Sequence, residues 1–171
     1  MAWEMEGSDI VGKGRLLPEG WYRATVEVAV AEEKENGTSV KLQYGDLLTP
    51  EGAVEFLLAD GTEFRIGNRK LFQRGWWEHT NVQAQSIGHR ELARLMIAAG
   101  LAQKPAKGEK FVSPFEKAEE LALALEGKQV QVRVRHKNRV RKLADGTKVQ
   151  EQDEDGEPRV DAEVVDTRSL S

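Results

Sequence analysis

The sequence predicts a mainly β, antiparallel domain with two helices inserted between its strands. Three observations carry that expectation. Apolar and polar residues alternate with a period of two in several runs, Asn-Gly or Asp-Gly dipeptides separate pairs of those runs, and the period changes to that of a helix in the middle of the chain. The 171 residues suffice for one domain with a proper core and are short for two. That domain is expected over residues 16–168, after a flexible arm at 1–15 and before a tail at 169–171.

The first run, "GWYRATVEVAVAEEK", alternates Tyr22, Ala24, Val26, Val28 and Val30 with Arg23, Thr25 and Glu27, as a half-buried strand does. Asn36-Gly37 suits a tight hairpin turn because both residues tolerate positive φ. In the return strand Val40, Leu42 and Tyr44 alternate with Lys41 and Gln43. Asp60-Gly61 and Asp145-Gly146 each sit between two further alternating runs. The pentapeptide Leu-Ala-Asp-Gly-Thr thus occurs at 58–62 and again at 143–147, between flanks that do not match, which favours shared turn chemistry over a duplicated half-domain. In "IGHRELARLMIAAG", Leu92, Leu95, Met96 and Ala99 form one helical stripe before Gly100. In "SPFEKAEELALALEG", Phe115, Ala118, Ala122 and Leu125 share a face between a Ser-Pro start and Gly127. The helical insertion is therefore expected over about 87–126, and "VDAEVVD" forms the last strand. Short strands of this number, linked by hairpins, favour a small barrel or sandwich.

Composition narrows the chemistry. Without cysteine there is no disulfide, no thiol catalysis and no cysteine-based zinc site, which suits a reducing, cytoplasmic compartment. No apolar run approaches the ~20 residues of a membrane span. The N-terminal "MAWEMEGSDIVGKGR" has acids and glycines where a signal peptide carries a basic start and an apolar stretch. His79, His89 and His136 lack ligand-like spacing, and no glycine-rich phosphate loop follows a strand. Acid pairs such as Glu32-Glu33 and Glu119-Glu120 read as solvated faces. No enzymatic activity, cofactor or metal is expected.

Charge is distributed unevenly. Residues 127–142, "GKQVQVRVRHKNRVRK", hold seven Lys or Arg and no acid, leaving 18 basic against 29 acidic residues elsewhere. Val130, Val132 and Val134 alternate with Gln129, Gln131, Arg133 and Arg135, so the valines are expected in the core and the arginines on the opposite face. Lys137, Arg139, Arg141 and Lys142 continue the row, and no acid in that stretch neutralises it. A row of like charges on one sheet face is unfavourable unless counterions or a polyanion occupy it. The other reading of this strand is a solvated face whose arginines pair with some of the 29 acids elsewhere in the chain. Aromatic residues supply the second ingredient of a single-strand site: Phe72, Trp76 and Trp77 lie among Arg69, Lys70 and Arg74. Adjacent tryptophans cannot both point inward on a regular strand or helix, so one of the two is expected partly exposed. The candidate nucleic-acid-binding residues are Arg133, Arg135, Lys137, Arg139, Arg141 and Lys142. Arg65 and Lys41 are expected as helpers from neighbouring strands, and Tyr44, Trp76 or Trp77 as stacking groups. The competing reading is a β-barrel assembly or structural module whose basic strand meets an acidic protein partner.

Several stretches resemble a family of phage-encoded proteins found among replication and recombination genes and regarded as single-stranded-DNA-binding proteins with an oligonucleotide/oligosaccharide-binding (OB) barrel. "LLPEGWYRATV" is similar to that family's opening Leu-Pro-x-Gly-x-Tyr and first strand, and "NGTSVKLQYGDL" to its second strand. "NVQAQSIGHRELARLMIAAGL" resembles its helix, and "LEGKQVQVRVRHK" its Leu-x-Gly-Lys turn and valine-alternating strand. The resemblance covers roughly residues 16 to 142. It implies an OB-like antiparallel barrel, single-stranded DNA as the partner alongside replication or recombination proteins, and a host-cytoplasmic setting. The motifs are mostly glycines and core positions, so no binding residue is transferred by it, and a homo-oligomer is compatible with it.

Overall fold

The computed structural model describes residues 16–152 and 160–170. The arm at 1–15 and most of the acidic turn at 151–157 lie outside the described residues. The elements are β1 (Gly20–Lys34), β2 (Gly37–Leu48), β3 (Glu55–Leu57), β4 (Glu63–Arg65), β5 (Leu71–His79), α1 (Val82–Ala98), α2 (Ala118–Leu125), β6 (Gln129–Asn138), β7 (Val140–Lys142), β8 (Lys148–Gln150) and β9 (Val160–Arg168). The fold is mainly β and every strand pair is antiparallel. The main sheet has the order β5-β2-β1-β6-β9, while β3-β4 and β7-β8 form two-stranded sheets. Among the described residues no hydrogen-bonded ladder closes the main sheet, although its edge strands β5 and β9 approach each other and α1 packs on both.

Two irregularities curl the sheet. Val26 pairs with Tyr44 but Val28 with Gln43, so Glu27 is an extra residue on β1; between Arg23/Leu48 and Thr25/Gly45 the extra residue is on β2, where Asp46 has φ 49°. The first bulge overturns one expectation. Tyr22, Ala24 and Val26 point into the core as the alternation predicts, but past Glu27 the faces exchange: Ala29 is buried while Val28 and Val30 are exposed. An inserted residue shifts the period-two pattern by one.

The first hairpin forms, but its turn is Glu35-Asn36, one residue before the expected Asn36-Gly37, and Gly37 is already paired with Lys34. Asn36 does not take positive φ; the glycine is required because a Cβ at Gly37 would run into the Glu78 carbonyl oxygen of β5. The repeated pentapeptide makes one turn twice. Leu58 N–H donates to Thr62 O at 2.8 Å and Thr62 N–H to Asp60 Oδ1 at 2.9 Å; Leu143 and Thr147 repeat both bonds, the second to Asp145, at the same lengths.

The core joins the inner sheet face to both helices through Tyr44, Leu42, Leu95, Leu121, Leu125 and the β6 valines, all essentially inaccessible. Burying each such side chain contributes about 1.5–3 kcal/mol. The helix stripe holds for Leu92, Leu95 and Met96, but α1 starts earlier than expected, because Asn81 Oδ1 accepts the Ala84 N–H at 2.9 Å and caps it. The second helix starts later than its Ser-Pro signal, at Ala118, because Ser113 Oγ and the Phe115 backbone bond each other in a local turn instead. Among the described residues no helix is long and apolar enough to cross a membrane.

Candidate nucleic-acid interface

The basic strand folds as its alternation requires. Val130, Val132 and Val134 are fully buried, and Arg133, Arg135 and Lys137 are exposed. Its surroundings match the reading in which acids from elsewhere face it, not an unneutralised track. β9 runs beside it and sets Asp166, Glu163 and Asp161 opposite Arg133, Arg135 and Lys137. Residues directly opposite in an antiparallel pair share a face, so these acids cancel much of the strand's positive potential. Lys137 Nζ lies 3.8 Å from Glu163, and Arg139 donates to both Asp161 oxygens at 2.9 and 3.0 Å, with Glu151 at 3.9 Å. The bond to Asp161 holds the Arg139 pKa above its ordinary value. The neutralising acids were hidden because they are distant in sequence and close only through strand pairing.

The remaining basic candidates are scattered. Arg141 and Lys142 lie on β7, in an exposed hairpin where Lys142 stands opposite Lys148. Neither expected helper is on a strand neighbouring β6: Lys41 is on β2, beyond β1, and Arg65 belongs to the small β3-β4 sheet and pairs with Glu55 at 3.2 Å.

The aromatic candidates separate as well. Tyr44 is wholly buried and its hydroxyl donates to Gln73 Oε1 at 2.5 Å, so it offers no surface for a base. Burial pushes its pKa well above the ordinary tyrosine value. Trp77 packs against the core, whereas Trp76 is half-buried and edge-on to the His79 ring, 4.5 Å between centroids. A register shift between Thr38 and Ser39 lets the two tryptophans part.

A second face, whose Lys41, Phe72, Arg74 and Trp76 the sequence named without placing them on one surface, carries a more ordered arrangement. Past the Glu27 bulge, the outer side of β1, β2 and β5 is built from three cross-strand rows. Val28, Gln43 and Phe72 form the first, Val30, Lys41 and Arg74 the second, and Glu32, Ser39 and Trp76 the third. Phe72 is 59% exposed, Val30 50% and Val28 42%. Lys41 and Arg74 stand opposite each other, an unfavourable placement unless an anion lies between or over them. Glu32 partly answers it, at 2.9 Å from Lys34 and 3.5 Å from Arg74. The Lys34 hydrogen bond first, then the charges of Arg74 and Lys41, keep the Glu32 carboxyl below its usual range. At the border Lys70 Nζ donates to both Glu27 oxygens at 2.6 and 2.8 Å, and Gln43 Nε2 donates to Glu27 at 3.2 Å, which orients the Gln43 amide.

Trp21 is a further aromatic that the sequence reading passed over. It stands opposite Arg133, but the Arg168 guanidinium covers its ring at 4.0 Å. Among the described residues no group of three or more His, Asp or Glu side chains is placed to hold a metal ion. No family model matches the chain, and no curated protein matches it.

Proposed function

We propose that the protein binds single-stranded DNA with little sequence preference, in phage replication or recombination, and that the outer face of β1, β2 and β5 is its primary contact surface. The observation that carries this is the three-strand row pattern: exposed Phe72, Val28 and Val30 flank the opposed cations Lys41 and Arg74. The Phe72 ring accepts a stacked base of any identity, the two valines give apolar contact beside it, and the cations neutralise phosphates. The strand layout supports an OB-like barrel. Five strands form the sheet, one long bent strand serves both halves, helices lie between the third and fourth strands in chain order, and the edges approach without closing. A partly open five-stranded barrel of that kind binds oligonucleotides on its second and third strands and on the loops after the first and fourth. Here those strands are β2 and β5, the loop after the first is the acidic β1-β2 tip and is not assigned to DNA, and the later loop carries the β7-β8 hairpin with Arg141, Lys142 and Lys148.

The test is an anisotropy titration of a labelled oligo-dT of ~30 nucleotides at ~0.05 and ~0.3 M salt, with tryptophan fluorescence followed in parallel. Wild-type binding should be tight at low salt and weaken with salt. The Lys41→Glu/Arg74→Glu variant should lose affinity about tenfold or more, and Arg133→Glu/Arg135→Glu, already faced by acids, should lose less. Phe72→Ala should cost about 1–3 kcal/mol of binding. No binding at low salt overturns the proposal in favour of a protein-assembly module. Full affinity in Lys41→Glu/Arg74→Glu moves the site off this face.

A further inference from the structure

A groove of about 1350 Å³ lies between the tip of the β1-β2 hairpin, the end of β5, α1 and the connection at 104–113. Small-molecule sites span ~300–1,000 Å³, so this one is sized for a polypeptide segment. Its floor is apolar, made of Trp77, Leu92, Met96 and Ile97, and Val112 on its border is 81% exposed. The two rims differ in charge. Arg90 and Arg94, one helical turn apart on α1, and Lys104 form one; Glu33, Glu35 and Glu78 form the other, where Lys34 also lies but is ion-paired with Glu32 at 2.9 Å. None of the three cations is ion-paired among the described residues, although Arg94 lies near enough to Glu91 to act on its charge.

We propose that this groove docks an extended segment of a partner protein in which apolar side chains alternate with carboxylates. The apolar side chains would fill the floor and the carboxylates would meet Arg90, Arg94 and Lys104. Such pairing draws the carboxylates to the basic rim, since the opposite rim repels acids. The same acidic rim disfavours a nucleic-acid strand, whose phosphates would pass Glu33, Glu35 and Glu78. Trp77 lines this groove and Trp76 does not, so the site is distinct from the sheet face assigned to DNA.

The probe is a fluorescein-labelled decapeptide of alternating Leu and Asp, titrated into the full chain beside Leu/Lys and Ser/Asp decapeptides. The Leu/Asp peptide should bind saturably and the other two at least about tenfold more weakly. Arg90→Glu/Arg94→Glu and, separately, Val112→Asp should each weaken it by about tenfold. All three positions are on the surface, so circular dichroism melts should match wild type; if the double variant unfolds, Val112→Asp carries the test. Both variants should keep wild-type oligo-dT behaviour, whatever that is, which separates a failure here from a failure of the DNA reading. The proposal is overturned by any of four results: no saturable binding of the Leu/Asp peptide, equal binding of the Ser/Asp peptide, loss of oligo-dT affinity in Arg90→Glu/Arg94→Glu, or a wild-type dimer that Val112→Asp dissociates. The third would make the groove a nucleic-acid site and the fourth a self-association surface.

Discussion

Lys41 and Tyr44 are near neighbours on β2 that sequence reasoning treated alike and the fold treats oppositely. Lys41 projects to solvent opposite Arg74; Tyr44, on the other face, is sealed in the core with its hydroxyl on Gln73. Tyr44→Phe should therefore leave oligo-dT affinity unchanged. It should lower stability by about 1 kcal/mol, because it leaves the half-buried Gln73 oxygen without its donor, and denaturant unfolding will measure that. Replacing Lys41 and Arg74 by Gln should act the other way, with little change in melting temperature. The log-log salt slope of binding should fall by about 1.4 in magnitude, two phosphates at about 0.7 each. The alternation of β2 made the two faces of this strand legible. Phe72 and Arg74 were visible only as members of a mixed aromatic and basic segment, because their role depends on standing opposite Gln43 and Lys41.

At the scale of elements, β5 is the strand that periodicity did not reveal. Its inward positions are Leu71, Gln73 and Gly75, and its outward ones Phe72, Arg74 and Trp76, which is nearly the reverse of an apolar-in pattern. Tertiary partners explain each inward choice. Gln73 receives the Tyr44 hydroxyl, and a Cβ on Gly75 would come within 2.6 Å of a Leu92 methyl of α1. Gly88 of α1 answers from the other side, since a Cβ there would strike the Trp76 backbone. An alanine in a helix is worth about 1 kcal/mol over glycine. Here crowding against immovable backbone wins, so Gly88→Ala should destabilise the protein by about 1–3 kcal/mol net. Gly75→Ala should cost less because Leu92 can shift its side chain, and thermal melts of the two variants will rank them. By contrast β1 up to Glu27, β2 up to Gly45, β6 and the stripe of α1 followed from the sequence, since each of these stretches packs against the core along one uninterrupted face.

Over the whole molecule, α1 bridges the seam where β5 and β9 approach, and Glu91 of α1 sits half-buried there. Burial, then the charge of Glu163 on β9, raise the Glu91 pKa, and Arg94 only partly offsets them. A carboxyl whose pKa is raised by folding penalises the fold when ionised, and the penalty disappears once pH falls below its unfolded value, about 4.3. Glu91→Gln should accordingly raise the melting temperature at pH 7, and the advantage should vanish near pH 3.5–4. Glu27 and Glu32, held low by lysines, give the opposite dependence: their stabilisation is present at neutral pH and lost as pH falls through their folded values. Both proteins share that loss, so the difference between them isolates Glu91. The sequence by itself determined the mainly β class, the hairpin turns, the core face of β6 and the absence of cysteine chemistry, because turn geometry and face alternation are written in neighbouring residues. Only the tertiary structure decided that the basic strand is faced by acids, that the Glu27 bulge exposes Val28 and Val30, and that Lys41, Arg74 and Phe72 share one surface. Those outcomes depend on which distant strand lies alongside and in what register, and no local pattern encodes that.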